Sequence, residues 1–273
     1  MPRTRHHRGM VVAGAVAAGV VVVLAVAVWL VTRTHQPPPA SVSGALRTYR
    51  GTATTNRSST PAVGPAPGVY TATGSGTEKL SIQASATHLG PTMPVTVTRD
   101  GSGCWVFRID YTSAHWQSWR YCLTATQLQD LGGVVHQRFD LGVVHYDSDI
   151  TSQCRPVDVV VRLGARRGDT WPQSCTSGQG TGASHQAGTA TSLGMTTVSV
   201  GGRAVSTYHV RWTRTTSGAQ TGTSADEYWF SVGSFLPVRH VWSLTSRTVG
   251  PAGVAVTYDE QGEWDLTTLS AKD

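Results

Sequence analysis

Residues 104–123, CWVFRIDYTSAHWQSWRYCL, carry the clearest fold signal in the sequence. Two runs rich in aromatic and aliphatic residues, Cys104–Tyr111 and Trp116–Leu123, flank the short segment Thr112–His115. Residues of these types favour strands, and a short connection between two such runs is typical of a hairpin. The stretch therefore predicts two antiparallel strands joined by a tight turn.

The two cysteines of this hairpin indicate how its strands pair. If Cys104 faces Cys122, one face becomes almost wholly aromatic and aliphatic, whereas the cysteine face carries Arg108, Asp110 and Ser118. A slip of one residue would destroy this division, so the hydrophobic pattern independently supports a Cys104–Cys122 disulfide. The pairs predicted on the apolar face are Trp105 with Tyr121, Phe107 with Trp119 and Ile109 with Gln117.

Short runs of the same kind recur from Gly68 to Leu269, and Gly, Asp, Ser and Pro separate them. No segment keeps the 3.6-residue period of a helix, apart from a turn or two near Thr124–Leu131. Many short strands with regular turn signals are typical of an antiparallel, mainly β domain. We assign this domain to residues 68–270, with a Gly-rich loop at residues 176–188 that divides it into halves.

A second stretch sets the topology of the chain. Residues 9–31 read GMVVAGAVAAGVVVVLAVAVWLV, an uncharged run of 23 residues that is long enough to cross a bilayer as a helix. Three arginines precede the run, and only Arg33 follows it closely. The positive-inside rule therefore predicts a cytoplasmic tail (1–8), a single-pass signal anchor (9–31) in the cell membrane and an extracytoplasmic C-terminal domain.

The alternative for this run is a cleaved signal peptide. The apolar core of a signal peptide spans only about 7–15 residues and ends at small residues of A-x-A type. Ala25-Val26-Ala27 has that pattern, but it lies inside the run, and Val28–Val31 continue the apolar stretch beyond it. This arrangement favours an uncleaved anchor.

Residues 32–67 are rich in Pro, Ser, Thr, Ala and Gly and contain few large apolar side chains. Such a composition buries too little apolar surface to offset the entropy of ordering the chain. We therefore expect a disordered linker between the helix and the domain, and nothing in the sequence requires order even at Ala45–Tyr49.

The net charge of +6 does not indicate a nucleic-acid partner. Four of the 22 basic residues flank the apolar run, whereas all 16 acidic residues lie beyond position 36. The exported part thus holds 18 basic residues (22 − 4) against 16 acidic ones, a net +2, and has no dense basic run. This balance argues against nucleic-acid binding.

All four cysteines lie on the side predicted to be exported, where disulfides persist. Four cysteines allow three pairings. Since the hairpin pattern pairs Cys104 with Cys122, Cys154 is left to pair with Cys175. No C-x-x-C motif occurs and no thiol is left free by this pairing, so we expect neither a zinc site nor a cysteine nucleophile.

Motifs of common catalytic and cofactor sites are absent from the sequence, which has no G-x-S-x-G elbow, no H-E-x-x-H and no phosphate-binding Gly-rich loop. Two acidic pairs, Asp226-Glu227 and Asp259-Glu260, adjoin predicted strands, where solvated carboxylates are common. We therefore predict no enzyme and no cofactor. A close carboxylate pair in the structure would favour an envelope hydrolase instead.

One candidate metal site consists of two histidines and two aspartates that lie close together in the sequence: His136, His145, Asp147 and Asp149. The strands around Asp140-Leu-Gly142 resemble a hairpin. A two-residue loop would set His136 opposite His145, which suggests a metal site. Gly142 as third loop residue instead favours a three-residue loop with a bulge, which sets His136 against Tyr146. We therefore assign these residues to ordinary strands and turns and predict no metal site.

The chain has nine Trp and eight Tyr but only four Phe. Rings with a polar atom fill β interiors and also line ligand sites. Each Trp or Tyr ring could therefore either pack in the core or line a ligand groove. The residues that we expect to line a groove for a lipid, a sugar or a peptide are Trp116, Trp212, Trp242 and Trp264.

The segment Glu227–Arg239, EYWFSVGSFLPVR, carries a resemblance to a known family. A strand that ends in Trp-Phe, a short turn and a strand that opens with Leu-Pro-Val-Arg resemble a hairpin of LolA/LppX-type envelope proteins. This resemblance implies an antiparallel half-barrel or open barrel whose apolar concave face holds lipid-linked cargo. Unlike those proteins, the chain lacks a lipobox cysteine and a long helix to close a half-barrel.

The first half of the domain, with Gly68-Val-Tyr70 at its start and four cysteines, is more similar to uncharacterised actinobacterial membrane-anchored proteins. Together these patterns predict a non-enzymatic, membrane-tethered domain that binds an apolar or amphipathic envelope ligand in a half-barrel groove. The alternative is a structural or protein-interaction module whose aromatic side chains all lie in the core. The sequence indicates no particular protein partner.

Overall fold

The computed structural model describes residues 36–53, 64–100, 103–140, 145–178, 182–249 and 253–273. Within these ranges, one helix precedes thirteen strands. The helix is α1 (Val42–Ala53), and the strands are β1 (Gly68–Leu80), β2 (Thr87–Leu89), β3 (Thr92–Arg99), β4 (Cys104–Asp110), β5 (His115–Leu123), β6 (Gln127–Asp140), β7 (His145–Arg162), β8 (Thr170–Ser177), β9 (Ser184–Val200), β10 (Arg203–Gly218), β11 (Gln220–Ser231), β12 (Pro237–Val249) and β13 (Ala255–Leu266).

The strands form one antiparallel sheet that closes on itself. From β3 to β13 each strand pairs with the next along the chain, and β1 lies between β3 and β13. β1 and β13 pair continuously from Ala72↔Leu266 to Leu80↔Tyr258. The short β2 pairs with the part of β1 beyond its contact with β3. The result is a closed barrel of twelve strands.

The prediction of a mainly β antiparallel domain is confirmed, but the predicted half-barrel or open barrel is wrong. An open barrel would leave one edge of β1 and one edge of β13 without backbone partners. Here the two strands satisfy each other's backbone groups, so the sheet closes without a helix. Alternate residues of each strand therefore face an enclosed core.

β4 and β5 form the hairpin that residues 104–123 predict. Trp105, Phe107 and Tyr121 are fully buried in the hydrophobic core of the barrel. The register is the predicted one, with Cys104 opposite Cys122, Trp105 opposite Tyr121, Phe107 opposite Trp119 and Ile109 opposite Gln117.

The structure contains the disulfides Cys104–Cys122 and Cys154–Cys175, the pairs predicted from the sequence. The second disulfide lies at the shortest ladder of the ring, because β7 and β8 share only the pairs Ser152↔Ser177 and Gln153↔Thr176. We call this contact the β7–β8 seam.

Beyond the disulfide, side chains replace the missing ladder of the β7–β8 seam. The Ser174 amide donates to Asp158 Oδ1 (2.6 Å), and the Trp171 indole donates to the Val159 carbonyl (2.5 Å). Asp158 lies close to the sulfurs of both Cys154 and Cys175. Those sulfurs are bonded to each other, so they offer no thiolates to a metal ion.

The predicted disordered linker is wrong for Val42–Ala53, which form α1. Ser41 caps this helix, since its Oγ accepts a hydrogen bond from the Gly44 amide at 3.1 Å. The helix packs on β1 and β3, with Ala45 buried, and Arg50 Nη2 donates to the Asp273 carbonyl at 2.8 Å. The Ser41 cap and the packing of Ala45 on the barrel wall thus stabilise a helix that composition alone did not indicate.

The predicted Gly-rich loop at residues 176–188 is largely strand, because β8 continues to Ser177 and β9 begins at Ser184. Gly188 is a wall residue, and a Cβ there would lie only 2.0 Å from the Thr213 carbonyl oxygen. Its missing side chain allows close strand packing rather than a turn. The helical turn expected near Thr124–Leu131 is likewise the start of β6.

The predicted membrane-spanning helix at residues 9–31 lies outside the described residues. In the described part of the chain, no helix has the length and the apolar character needed to cross a membrane.

Candidate functional site

Three of the four tryptophans predicted to line a groove lie inside the barrel. Trp212, Trp242 and Trp264 are 1%, 6% and 1% exposed. They pack in a column of rings with Tyr228 and His240, whose ring centroids are 3.8 Å apart. These side chains fill the interior of the barrel rather than line an open groove.

Trp116 lies apart from the other three, on the outer face of the wall. The Arg108 guanidinium lies 4.0 Å from its ring centroid, and the His136 ring stacks on it at 5.3 Å with an interplanar angle of 9°. Arg108 belongs to the cysteine face of the hairpin, which the predicted register turns away from the core. Trp116 therefore forms part of an outer stack and does not line a groove with Trp212, Trp242 or Trp264.

His136 stands opposite Asp149, so both registers considered from the sequence are wrong. The strands extend to Asp140 and from His145, which leaves a longer connection than either predicted loop. His136 Nδ1 lies 2.9 Å from Asp149 Oδ1 and 3.6 Å from Asp147 Oδ1. Both carboxylates are exposed, and the three side chains form a polar patch on the outer wall.

Glu78, His115, Gln137, Tyr258 and Glu260 form a buried group inside the barrel, which we call the acid cluster. The Tyr258 hydroxyl lies 3.0 Å from Glu78 Oε2 and 2.8 Å from Glu260 Oε2. His115 Nδ1 lies 3.0 Å from the same Glu78 oxygen, and Gln137 Nε2 donates to the Tyr258 hydroxyl. Because a phenol carries one proton, it donates to one of the two carboxylates at a time.

Burial and mutual charge control protonation in the acid cluster. Burial raises the pKa of Glu260, and the neighbouring Glu78 raises it further against the opposing effect of His115. Burial by itself would lower the pKa of His115, but Glu78 and Glu260 outweigh it and raise that pKa. Burial and the two carboxylates also raise the pKa of Tyr258 well above its usual range. The cluster therefore favours a protonated imidazole and a proton held among the acids.

The acid cluster contains the close carboxylate pair that would favour a hydrolase. Glu78 and Glu260 are each only 3% exposed, however, and the barrel wall surrounds them. Glu260 borders a hollow of about 840 Å³, but only this small fraction of the residue is exposed. The geometry supports a buried polar core rather than an open catalytic cleft.

Two further polar contacts lie in the interior. His240 Nε2 is 3.0 Å from Asp226 Oδ1, and burial lowers the pKa of His240 although Asp226 opposes that shift. Asp130 Oδ1 accepts a hydrogen bond from the Gly132 amide at 2.7 Å, and burial raises the pKa of Asp130 to about 7.

Sequence reasoning missed Glu78, and one signal could have found it. In β1, Glu78 shares its parity with the apolar residues Tyr70, Ala72 and Leu80, and Val69 is the one apolar residue of the opposite parity. The two-residue period of a strand therefore assigns Glu78 to the core. His115 gave a similar signal, because it shares the parity of Gln117, Trp119 and Tyr121 on the apolar face of the predicted hairpin.

An apolar cleft of about 450 Å³ opens at the end of the barrel where β1 begins, and we call it the mouth cleft. The β9–β10 and β11–β12 connections meet at this end. Phe235, in the second connection, has a left-handed backbone (φ 57°), and its ring stacks on Tyr208. The cleft is lined by Ala66, Tyr70, Val205, Ser206, Ser231, Val232, Gly233, Ser234, Leu236 and Leu269.

Serine side chains shape the wall of the mouth cleft. Ser231 Oγ and Ser234 Oγ are 2.6 Å apart, and Ser231 Oγ accepts a hydrogen bond from the Leu236 amide at 3.2 Å. On the other side, the Tyr70 hydroxyl donates to the Ala66 carbonyl at 2.6 Å, and burial raises the pKa of Tyr70 to about 12. The cleft thus combines an apolar wall with fixed hydroxyl groups.

A hollow of about 840 Å³ spans β1 and β9–β13, and its lining includes Glu260 of the acid cluster. Most of its lining residues have short side chains, and none of the described residues that line it is aromatic. The residues with side-chain hydroxyls in this lining are Thr77, Thr189, Thr213, Thr215, Thr223, Ser224, Ser243 and Thr245.

The sequence matches no protein-family model, and no curated protein matches it. Among solved structures, the crystal structure of the hypothetical lipoprotein YmcC from Escherichia coli K12 aligns with 79% of this chain and 94% of its own chain, at 12% sequence identity and a TM-score of 0.28. A similarity at that level carries no argument about function.

Proposed function

We propose that the chain is a non-enzymatic, membrane-tethered extracytoplasmic barrel that binds an apolar or amphipathic envelope ligand in the mouth cleft. The observation that carries this proposal is the cleft itself. Its volume of about 450 Å³ lies within the range of small-molecule sites, roughly 300–1,000 Å³. It is the mouth of the barrel, and not its filled interior, that offers space.

The chemistry of the mouth cleft fits a ligand with an apolar body and a polar group. Val205, Val232, Leu236 and Leu269 supply apolar surface. The hydroxyls of the serines in the cleft supply hydrogen-bond partners for the polar group. Few convergent polar groups in an otherwise apolar site are typical of ligand pockets.

Two sequence features support the tethered, extracytoplasmic part of the proposal. The apolar run at residues 9–31 has the length and the flanking charges of a single-pass anchor. All four cysteines form disulfides, which persist in oxidising compartments. The burial of Glu78 and Glu260 supports the non-enzymatic part.

Binding of a fluorescent fatty acid, cis-parinaric acid, to the detergent-extracted full chain tests the proposal. Leu269→Arg places a charge at the rim of the mouth cleft and should abolish binding, because a guanidinium cannot be buried unpaired against an acyl chain. Met195→Arg is the matched control, since Met195 is 64% exposed and does not line the mouth cleft, so its replacement should leave binding unchanged. Native mass spectrometry of the extracted chain should show bound lipid.

Absence of both parinaric acid binding and a lipid-bound species would contradict the proposal. Equal binding by wild type and Leu269→Arg would place the ligand elsewhere.

The second candidate function is a structural or protein-interaction module, which is favoured by the packing of Trp212, Trp242 and Trp264 inside the barrel. For that function, crosslinking in cells should trap one reproducible protein partner.

A further inference from the structure

The N-terminal segment meets the barrel at one particular end. Gln36 Nε2 donates to the Ala86 carbonyl at 2.8 Å, and its Oε1 accepts from the His88 amide at 2.9 Å. The Ser113 amide donates to the Pro38 carbonyl at 2.9 Å. Ala86 lies in the β1–β2 connection and Ser113 in the β4–β5 turn, so we call this the tether end. The mouth cleft lies at the opposite end.

The tether end lies close to the predicted membrane boundary. The apolar run ends at Val31, five residues before Gln36. Each residue of a fully extended chain spans at most about 3.5 Å, so Gln36 lies within roughly 18 Å of that boundary. A domain held by so short a segment cannot turn its tether end far from the bilayer.

Besides Tyr146 at the start of β7, three large apolar side chains are exposed at the tether end. Ile82, Val249 and Val254 are 48%, 62% and 59% exposed. Val249 pairs with Ala255 at the end of the β12–β13 ladder, and the Ser81 amide donates to the Thr257 carbonyl at 2.7 Å. The β1–β2 and β12–β13 connections are therefore adjacent, and the three side chains share one corner of the barrel.

We propose that the tether end rests on the outer surface of the bilayer, with Ile82, Val249 and Val254 inserted at the boundary between headgroups and acyl chains. This inference rests on the membrane tether of the proposed function. It goes beyond that function because it fixes the orientation of the barrel, with the mouth cleft facing away from the membrane.

The contact depends on apolar insertion rather than on charge. Beside this corner Lys79 stands opposite Asp259 across β1 and β13, and Arg247 of β12 adds a single further positive charge. Burial of apolar side chains in an interface is not screened by salt, whereas attraction to anionic lipids is. The contact should therefore be the same in neutral phosphatidylcholine vesicles at low and at high salt.

Photolabelling of the full chain in phosphatidylcholine vesicles tests the proposal. A phosphatidylcholine with a photoreactive acyl chain should label peptides that contain Ile82, Val249 and Val254. It should not label the peptide around Met195, which is 64% exposed but lies toward the opposite end. The triple variant Ile82→Asp, Val249→Asp, Val254→Asp should lose the labelling of the tether end, whereas Met195→Asp should keep it.

Alkaline extraction of the same vesicles separates this proposal from the tether. If the chain resists extraction but both ends of the barrel label equally, or neither end labels, the docked orientation is wrong and the tether stands. If alkali releases the chain and no peptide of the tether end labels, both are overturned. A circular dichroism spectrum of the triple variant that matches wild type shows that lost labelling is not lost folding.

Discussion

The indole ring of Trp242 lies against Gly262, its partner across β12 and β13. From that position the indole nitrogen donates to Glu260 Oε1 at 2.9 Å. A side chain at position 262 would occupy the space of the ring. Because Gly262 has no side chain, Trp242 can reach Glu260, and its indole joins the aromatic interior of the barrel to the acid cluster.

Gly262→Ala should destabilise the barrel. The added Cβ would lie 2.7 Å from a Trp242 ring carbon and 2.7 Å from the Ser75 carbonyl oxygen. Overpacking of this kind lowers the free energy of unfolding by about 1–3 kcal/mol. Urea denaturation measures the loss, and Gly233→Ala is the control because no atom lies within 4 Å of its added Cβ. Equal stability of the two variants would contradict the packing at Gly262.

Tyr258→Phe should destabilise the protein through the acid cluster. The change removes the hydroxyl that lies between Glu78 and Glu260 and leaves Gln137 without this acceptor. Unsatisfied buried polar groups cost about 1–3 kcal/mol each, so the urea midpoint should fall clearly. Tyr146→Phe, at a 54% exposed position, should have almost no effect. A Tyr258→Phe midpoint equal to that of wild type would show that the hydroxyl does not hold the cluster.

Asp130→Asn should stabilise the protein at high pH. Burial raises the pKa of Asp130 from 3.8 to about 7, so the folded state keeps its proton to a higher pH than the unfolded state does. Stability is therefore lost as the pH rises from about 4 through 7, by roughly 2–4 kcal/mol for a shift of this size. An asparagine carries no charge but still accepts the Gly132 amide.

Urea denaturation between pH 4 and pH 8 checks the sign of this effect. The Asp130→Asn variant should match wild type near pH 4 and exceed it at pH 8. Asp259→Asn is the matched control, because Asp259 is exposed and its replacement can still accept from Thr245. A constant difference across the pH range would mean that the charge of Asp130 is not responsible.

Loss of the Cys154–Cys175 disulfide should open the β7–β8 seam. Replacement of both cysteines by alanine removes the cross-link beside a ladder of only two residue pairs. Hydrogen exchange of the β8 amides should therefore rise sharply. The Cys104→Ala, Cys122→Ala variant is the control, because β4 and β5 keep a continuous ladder from Cys104↔Cys122 to Asp110↔Trp116.

The two disulfides should be nearly equal in their effect on global stability. They close loops with sequence separations of 18 and 21, and each is worth about 3 kcal/mol in the chain-entropy model. The difference between the variants should thus appear in local exchange and not in the urea midpoint. Unchanged protection of β8 in the Cys154→Ala, Cys175→Ala variant would show that Asp158 and Trp171 suffice to hold the seam.

The hairpin at residues 104–123 was predictable because two independent constraints agree on one register. The cysteine pair and the apolar face both set Trp105 against Tyr121. The β6–β7 hairpin had only the turn rule to set its register, and that rule failed for a longer connection. Closure of the barrel was not predictable, because the β1–β13 pairing joins residues as distant as Ala72 and Leu266 and leaves no local pattern.

Part of the candidate site could be predicted from the sequence. The predicted hairpin register already places Trp116 on the same face as Ser118, away from the core, so its outer position follows from parity. The acid cluster brings together side chains from β1, β5, β6 and β13, and that meeting depends on closure. The mouth cleft likewise depends on connections that meet only at one end of a closed barrel.

The pairing of β1 with β13 also sets the order of events during synthesis. β1 leaves the ribosome first of all the strands, and the edge that it offers to β13 stays bare until Leu266 has been made. The other neighbours in the ring are adjacent in the chain or, for β1 and β3, separated only by the short β2, so each can pair as it emerges. The nascent chain therefore grows as an open, curling sheet with an exposed aromatic lining, and the last strand completes the ring only after translation has passed it.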